Sequence, residues 1–205
     1  MRGKFIVLEG GEGAGKSTIA AFLKGSLSEK EFLVTRAGGS PFGEKLRSLF
    51  VSDDAALATP ESRFSLAFAT QADHVHTIIA SALVAGKHVI SDRLDASILA
   101  YQVYGEEQLN LTELFWRTRE GLFSGTVPDL YIFLSVGVEK GFARLKTHGK
   151  RFDHFERRPL TFHERVREGY KEFFRNVPHT IVDANRPLEM VQKEVLAIIR
   201  KYIQT

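Results

Sequence analysis

Short apolar runs alternate with longer amphipathic stretches along the chain. The runs have the length and composition of buried parallel strands, whereas the stretches between them place apolar residues at helical spacing. This alternation predicts an α/β fold with a largely parallel sheet. The predicted strands are Phe5–Leu8, Phe32–Thr35, His88–Ser91, Leu130–Leu134 and Thr180–Val182.

Helices are predicted between and after these strands. They cover Lys16–Ser28, Phe42–Phe50, Pro60–Ala85, Ser97–Tyr104, Leu111–Phe123, Val138–Thr147, Thr161–Asn176 and Pro187–Tyr202. Strands joined by crossover helices make a doubly wound sheet between two helical layers, and its ligands bind beyond the carboxyl ends of the strands. Because no linker or internal repeat divides the sequence, we expect residues 1–205 to form a single domain.

A glycine-rich segment follows the first predicted strand and matches the motif G-x-x-x-x-G-K-[ST]. A strand before it and a helix after it are the context of a phosphate-binding loop, and they disfavour the alternative of a chance glycine-rich turn. Glycines let successive N–H groups converge on phosphates, at the positive end of the following helix. The candidate nucleotide-binding residues are Gly10, Glu12, Gly13, Ala14, Gly15, Lys16, Ser17 and Thr18.

Two residues of this loop carry specific expectations. Lys16 is expected to reach the β and γ phosphates of a bound nucleotide, and the Ser17 hydroxyl is expected to bind a Mg²⁺ ion that bridges them. Asp92 and Arg93 close the third predicted strand, where the ligand cleft opens. We interpret Arg93 as a clamp on a second phosphate and Asp92 as a group that holds Mg²⁺ or orients Arg93. The alternative is that the pair only caps the next helix.

Further cations follow the second strand and the fourth. Arg36 and Arg47 are candidates for bidentate contact with an anionic group, although Arg47 could equally be a solvated helix residue. The basic segment 144–158 is interpreted as a lid that closes over a nucleotide, the alternative being a solvated run of charge. The candidates for its transition-state cation are Lys150 and Arg151, followed by Arg144, Arg157 and Arg158.

Composition narrows the function classes. The chain has 205 residues, 43% of them hydrophobic, with a formal charge of +3 and no cysteine. Disulfides, thiolate metal sites and cysteine nucleophiles are therefore excluded, and the modest charge suits phosphate ligands more than nucleic acid. No apolar run approaches the roughly 20 residues of a membrane helix and no signal peptide is recognised, so we expect a cytoplasmic protein without a membrane partner.

In their order and spacing these motifs resemble the thymidylate kinase family, whose members transfer a phosphoryl group from ATP to dTMP, giving dTDP and ADP. The resemblance spans nearly the whole chain. It is carried by Gly11–Ser17, Thr35-Arg36 with Gly38-Gly39, Glu44–Arg47, Ser91–Arg93 followed by Ser97 and Ala100–Gln102, Pro128–Leu130, Asp153–Glu156 and Val182–Ala184.

The resemblance implies a Mg²⁺-dependent P-loop kinase with a five-stranded parallel sheet, a small basic lid of the bacterial type, and a homodimer formed by the helices after Pro60. It also implies roles for single residues. The acceptor phosphate would contact Arg47 and Arg93. Glu12 would face the sugar hydroxyl, and Tyr101 would pack beside the deoxyribose. The substrate-binding candidates are Glu12, Arg36, Arg47, Phe68, Gln71, Arg93, Ser97 and Tyr101, and Asp183 and Ala184 would border the adenine of ATP.

Departures from the family pattern concern the acceptor. The loop after Arg36 is one residue shorter than usual, and Gln71 stands where an arginine usually contacts thymine. Ala67 stands where a phenylalanine usually stacks on the base, and Ile98 replaces a small polar residue. A glutamine still offers a donor and an acceptor, and Phe64 or Phe68 would supply the ring in another helix register.

Three other functions remain open at this point. The first is a kinase for another nucleoside monophosphate or for a deoxynucleoside. The second is a nucleotide-dependent switch or binding module, although the sequence contains no N-K-x-D or D-x-x-G motif. The third, a nucleic-acid binder, predicts a steeply salt-dependent affinity for DNA.

Overall fold

The computed structural model describes residues 2–147 and 152–204, and within these ranges five strands form one parallel sheet. The strand order is β2-β3-β1-β4-β5, and every neighbouring pair is parallel. The predicted sheet is therefore confirmed. The strands are β1 (Phe5–Glu9), β2 (Phe32–Arg36), β3 (His88–Asp92), β4 (Leu130–Ser135) and β5 (His179–Asp183).

Helices connect the strands and cover both faces of the sheet. Among the described residues, no helix is sufficiently long and apolar to cross a lipid bilayer. The α-helices are α1 (Lys16–Ser26), α2 (Pro41–Phe50), α3 (Asp53–Leu57), α4 (Pro60–His74), α5 (Ala80–Val84), α6 (Asp95–Ile98), α7 (Thr112–Phe123), α8 (Val138–Thr147), α9 (Leu160–Phe174) and α10 (Leu188–Ile203), with π-helical segments at Val75–Ile79 and Leu99–Gly105 and a 3₁₀ turn at Leu109–Leu111.

Alternate strand residues supply two separate cores, because successive side chains of a strand point to opposite faces. Phe5 and Val7 of β1 pack in a core that α4, α7 and α9 complete. Ile6 and Leu8 of the same strand pack in a second core beneath α1 and α10. The sheet thus separates two helical layers, as the doubly wound prediction requires.

Beyond small shifts of helix ends, the helices depart from the prediction in several places, including a π-helical segment, Val75–Ile79, inside the predicted helix Pro60–Ala85. The short helix α3 was not predicted, although its N-cap Ser52 accepts a hydrogen bond from the Ala55 N–H and two acidic residues follow it. The helix predicted over Ser97–Tyr104 begins at Asp95 and continues as the π-helical segment Leu99–Gly105. π-helical turns are frequent at functional sites, and this one carries Tyr101.

Strand register brings the predicted motifs to one edge of the sheet. β1 and β3 are adjacent, with Leu8 opposite Asp92. The loop that leaves β1 at Gly10 therefore lies directly beside Asp92 and Arg93. This adjacency depends on parallel pairing, because only parallel strands end at the same edge.

Helix α8 touches the glycine-rich loop backbone to backbone. A Cβ atom on Gly13 would lie 2.0 Å from the Gly141 carbonyl oxygen, and a Cβ atom on Gly141 would lie 2.2 Å from the Glu12 carbonyl oxygen. Both positions therefore require glycine. One turn after Gly141, Arg144 donates hydrogen bonds to the Gly13 carbonyl (3.4 Å) and to the Ala184 carbonyl (2.9 Å).

We expect Gly141→Ala to destabilise the protein by about 1–3 kcal/mol, because the new methyl group has no space against the loop. The matched control is Gly121→Ala in α7, where a Cβ atom would meet nothing within 4 Å. That variant should gain about 0.5–1 kcal/mol from helix propensity. Urea unfolding measures both free energies, and equal effects of the two substitutions would contradict the close contact.

Candidate active site

A cleft of about 680 Å³ opens at the carboxyl ends of the strands. The glycine-rich loop forms its floor, α2 and α4 form one wall, and the chain after β5 forms the other. The sequence-predicted residues that line it are Glu12, Gly13, Ala14, Gly15, Lys16, Ser17, Thr18, Arg36, Arg47, Gln71, Asp92, Arg93, Ser97, Tyr101, Arg144 and Ala184.

The loop has the backbone of an anion-binding turn. Gly13 and Gly15 have φ angles of 67° and 88°, a region that favours glycine. The Lys16 ammonium donates hydrogen bonds of 2.8 Å to the carbonyl oxygens of Gly10 and Gly11, which hold it inside the loop. Burial, together with the charge of Arg93, lowers the pKa of Lys16 to about 8. An anion bound here would restore the missing countercharge.

Ser17 and Asp92 place two oxygen ligands side by side. The Ser17 hydroxyl donates a 2.9 Å hydrogen bond to Asp92 Oδ2. Hard divalent cations such as Mg²⁺ prefer oxygen ligands, and they retain several waters when phosphates complete the coordination. The hydroxyl and the carboxylate beside the glycine-rich loop therefore have the chemistry of Mg²⁺ ligands.

Arg93 is the most connected side chain of the cleft. Its backbone has a φ angle of 69°, which is uncommon for a residue other than glycine. Nη1 donates to the Gly10 carbonyl, to Ser97 Oγ and to Tyr170 Oη at 3.1–3.3 Å, and Nη2 forms a 2.9 Å ion pair with Glu12. These contacts fix the guanidinium plane beside the loop.

Glu12 is ionised, although the loop that contains it is predicted to bind phosphates. Burial alone would raise its pKa, but the charges of Arg93 and Lys16 outweigh that effect and hold the pKa at about 2. The Tyr101 hydroxyl also donates a 2.6 Å hydrogen bond to Glu12. Glu12 thus orients both Arg93 and Tyr101.

Glu9 is a site residue that the sequence prediction missed. It ends β1 and is fully buried, and its carboxylate accepts hydrogen bonds from the backbone N–H groups of Leu94 and Ser97. It also accepts from the Ser97 hydroxyl (2.7 Å) and the Tyr170 hydroxyl (3.1 Å). Burial raises the pKa of Glu9 to about 7 despite the nearby charge of Arg93. A glutamate directly before a phosphate-binding glycine was the available signal.

Three guanidinium groups converge on the side of the cleft next to α2. Burial and the positive charges of Arg36 and Arg93 together lower the pKa of Arg47. The Arg36 side chain forms an ion pair with Glu44 at 2.7 Å, whereas no hydrogen bond or salt bridge joins the Arg47 side chain to another described residue. Cations that repel one another around an open cavity define an anion subsite distinct from the glycine-rich loop.

Two predicted base-binding residues, Gln71 and Phe68, lie on different faces of helix α4. Gln71 lines the cleft, as does Ala67 one turn earlier. Phe68 points to the opposite side, where its ring packs against Phe64 and Phe115 with centroids 5.1 and 5.7 Å away. It belongs to the core and does not line the cleft, because the helix turns residues 67 and 71 toward the cavity and rotates residue 68 by about 100°.

Other predicted residues lie around the cleft or beyond it. Lys150 and Arg151 lie outside the described residues. Gly10 is beneath the cavity, where its carbonyl accepts from Lys16 and Arg93. Asp183 is exposed and caps the turn at Asn185, so only Ala184 of that pair lines the cleft. In the lid segment, Arg157 pairs with Asp53 and Arg158 pairs with Glu106.

The parallel sheet and the glycine-rich loop with its buried lysine define a P-loop nucleotide-binding protein. The model of the family described as "Thymidylate kinase" matches residues 8–195. The chain belongs to the thymidylate kinase family, which confirms the resemblance seen in the sequence.

Relatives named thymidylate kinase match the chain over nearly its full length. The protein of Carboxydothermus hydrogenoformans is 37% identical over 201 residues, which cover 95% of this chain and 96% of that protein. The protein of Halothermothrix orenii is 36% identical over 200 residues and 95% of both chains. The protein of Exiguobacterium sp. is 38% identical over 202 residues, which cover 96% of this chain and 93% of that protein.

The raised pKa of Glu9 predicts a pH-dependent difference between wild type and Glu9→Gln. Between about pH 4.5 and pH 7, Glu9 is ionised in the unfolded chain but protonated in the folded protein. The folded state binds the extra proton, so the free energy of unfolding falls as the pH rises through this range. We expect wild type to lose on the order of 2 kcal/mol relative to Glu9→Gln across this range. Urea unfolding at intervals of one pH unit measures it.

The matched control is Glu120→Gln, at an exposed position in α7. The difference in unfolding free energy between wild type and this control should not change over the same pH range. If wild type and Glu9→Gln keep a constant difference from about pH 5 to pH 8, residue 9 is already ionised in the folded protein and the buried-acid description is wrong.

Proposed function

We propose that this protein transfers the γ-phosphoryl group of ATP to dTMP, giving dTDP and ADP. The observation that carries the proposal is the presence of two anion subsites in one cleft: the glycine-rich loop with Lys16, and the cluster of Arg36, Arg47 and Arg93. A switch or binding module needs only the first of these. The names of the relatives support the choice of dTMP.

Each subsite has a role in the proposed reaction. The loop N–H groups and Lys16 bind the donor phosphates, while Arg47 and Arg93 bind the acceptor phosphate. The acceptor phosphate is already anionic near neutral pH, so the reaction needs no dedicated base, and catalysis rests on positioning and on stabilisation of charge. We therefore assign no residue as a general base.

Residues around Arg93 position the acceptor sugar. Glu12 and Tyr101 are hydrogen-bonded to each other and line the cleft, which suits contact with the deoxyribose. Ser97 accepts a hydrogen bond from Arg93 and so helps to position its guanidinium group. A Mg²⁺ ion held by Ser17 and Asp92 would neutralise charge on the donor phosphates. We propose Ala184 and Arg144 as neighbours of the adenine, with Asp183 shaping the adjoining turn.

The remaining assignments follow the family rather than a contact within the described residues. Lys150 or Arg151 is proposed to supply the lid cation, and the active form is proposed to be a homodimer in the cytoplasm. Another nucleoside monophosphate remains the main alternative acceptor, because Ala67, Gln71 and Ile98 depart from the usual base pocket. A panel of monophosphates and free nucleosides, assayed for ATP-dependent turnover, distinguishes these acceptors.

Lys16→Ala should reduce turnover of dTMP with ATP by roughly a hundredfold or more, because the variant loses the cation that faces the transferring group. Folding should be little affected. Lys24→Ala, at an exposed position of the same helix, is the matched control and should retain activity. A coupled assay for ADP measures turnover. Slow ATP hydrolysis that no acceptor accelerates would contradict the kinase assignment and support a switch.

Arg47→Met should raise KM for dTMP by roughly tenfold to a hundredfold and leave KM for ATP nearly unchanged, because a charge-assisted contact is lost only in the acceptor subsite. The control is Arg117→Met, which removes an exposed arginine from α7. Steady-state kinetics with each substrate varied in turn give both constants. If KM for ATP rises as much as KM for dTMP, the cleft does not contain two separate anion subsites.

A further inference from the structure

The side-chain amide of Gln71 is fixed in one orientation. Gln71 is 6% exposed, and its Nε2 donates a 2.9 Å hydrogen bond to the backbone carbonyl of Leu94. A carbonyl oxygen only accepts hydrogen bonds, so the partner must be the nitrogen of the amide and not its oxygen. The hydrogen bond therefore determines which end of the amide remains available.

The available end is an acceptor without a partner. Gln71 Oε1 is buried and forms no hydrogen bond with the described residues, although Gln71 lines the cleft. An unsatisfied buried acceptor destabilises the folded protein, so its presence in a binding cavity points to a ligand group that satisfies it. That group must be a hydrogen-bond donor.

The described residues around Gln71 in the cleft also offer hydrogen-bond acceptors. Gln102 presents another buried amide oxygen without a described partner, and it also lines the cleft. Ala67 and Ile98 add only apolar surface, and the Thr70 hydroxyl donates its proton to the Leu66 carbonyl at 2.8 Å. This part of the cleft thus offers hydrogen-bond acceptors beside apolar surface, whereas the cations lie at the phosphate end.

We propose that Gln71 determines acceptor specificity by accepting a hydrogen bond from the imide N3–H of the thymine base. This rests on the proposed function and adds the polarity of base recognition. Thymine has one ring donor, N3–H, flanked by two carbonyl oxygens that an acceptor would repel. An arginine at this position would offer only hydrogen-bond donors. It would therefore recognise the base through the carbonyl oxygens and not through N3–H.

The test compares dTMP with its 2,4-difluorotoluene analogue, which has the shape of thymine and no base N–H. Both are assayed as acceptors with wild type, Gln71→Met and the control Gln204→Met, which makes the same change at an exposed position after α10. Wild type and the control should prefer dTMP in kcat/KM by roughly tenfold to a hundredfold. In Gln71→Met the preference should collapse, because kcat/KM should fall much more for dTMP than for the analogue.

The outcomes separate this inference from the proposed function. If wild type does not phosphorylate dTMP, the proposed function fails and the inference fails with it. If wild type phosphorylates dTMP and Gln71→Met lowers kcat/KM equally for both acceptors, Gln71 has only a structural role and the inference alone fails. A wild-type preference for dCMP over dTMP that is lost in Gln71→Met would also overturn it, since the donor would then be an exocyclic amino group.

Discussion

The ion pair between Arg93 and Glu12 organises the cleft. It joins the loop that leaves β1 to the chain that leaves β3. The same guanidinium contacts Ser97 and Tyr170, which in turn are held by the buried carboxylate of Glu9. A φ angle of 69° at Arg93 is tolerated because these contacts over-determine its position. Catalysis by positioning requires such rigidity.

Burial and neighbouring positive charge disfavour the charged forms of two cations in the cleft. Lys16 is buried beside Arg93, and Arg47 is surrounded by positive charge, so both lose part of their preference for the protonated state. Anionic phosphates would relieve this repulsion at each subsite. This electrostatic environment favours ligands with several negative charges over neutral ones.

Much of the fold and of the phosphate chemistry could be predicted from the sequence, because both follow from short-range patterns. The loop motif and the strand ends at Asp92 and Arg93 needed only the rule that parallel strands end together. Glu9 was missed because the apolar pattern ends at Leu8, whereas the strand continues by one residue. Phe68 was misjudged because the face of α4 that packs in the core depends on tertiary contacts. The hydrogen-bonding polarity of the cleft beside Gln71 also could not be predicted, because it depends on which end of the Gln71 amide is already bonded.

The contact between Gly13 and Gly141 has a mechanical consequence. Two main chains meet there without a side chain between them, so no rotamer change can absorb a displacement of either. The glycine-rich loop and α8 are therefore coupled directly through their main chains, and a displacement of the loop toward the helix would have to displace the helix backbone at Gly141 as well.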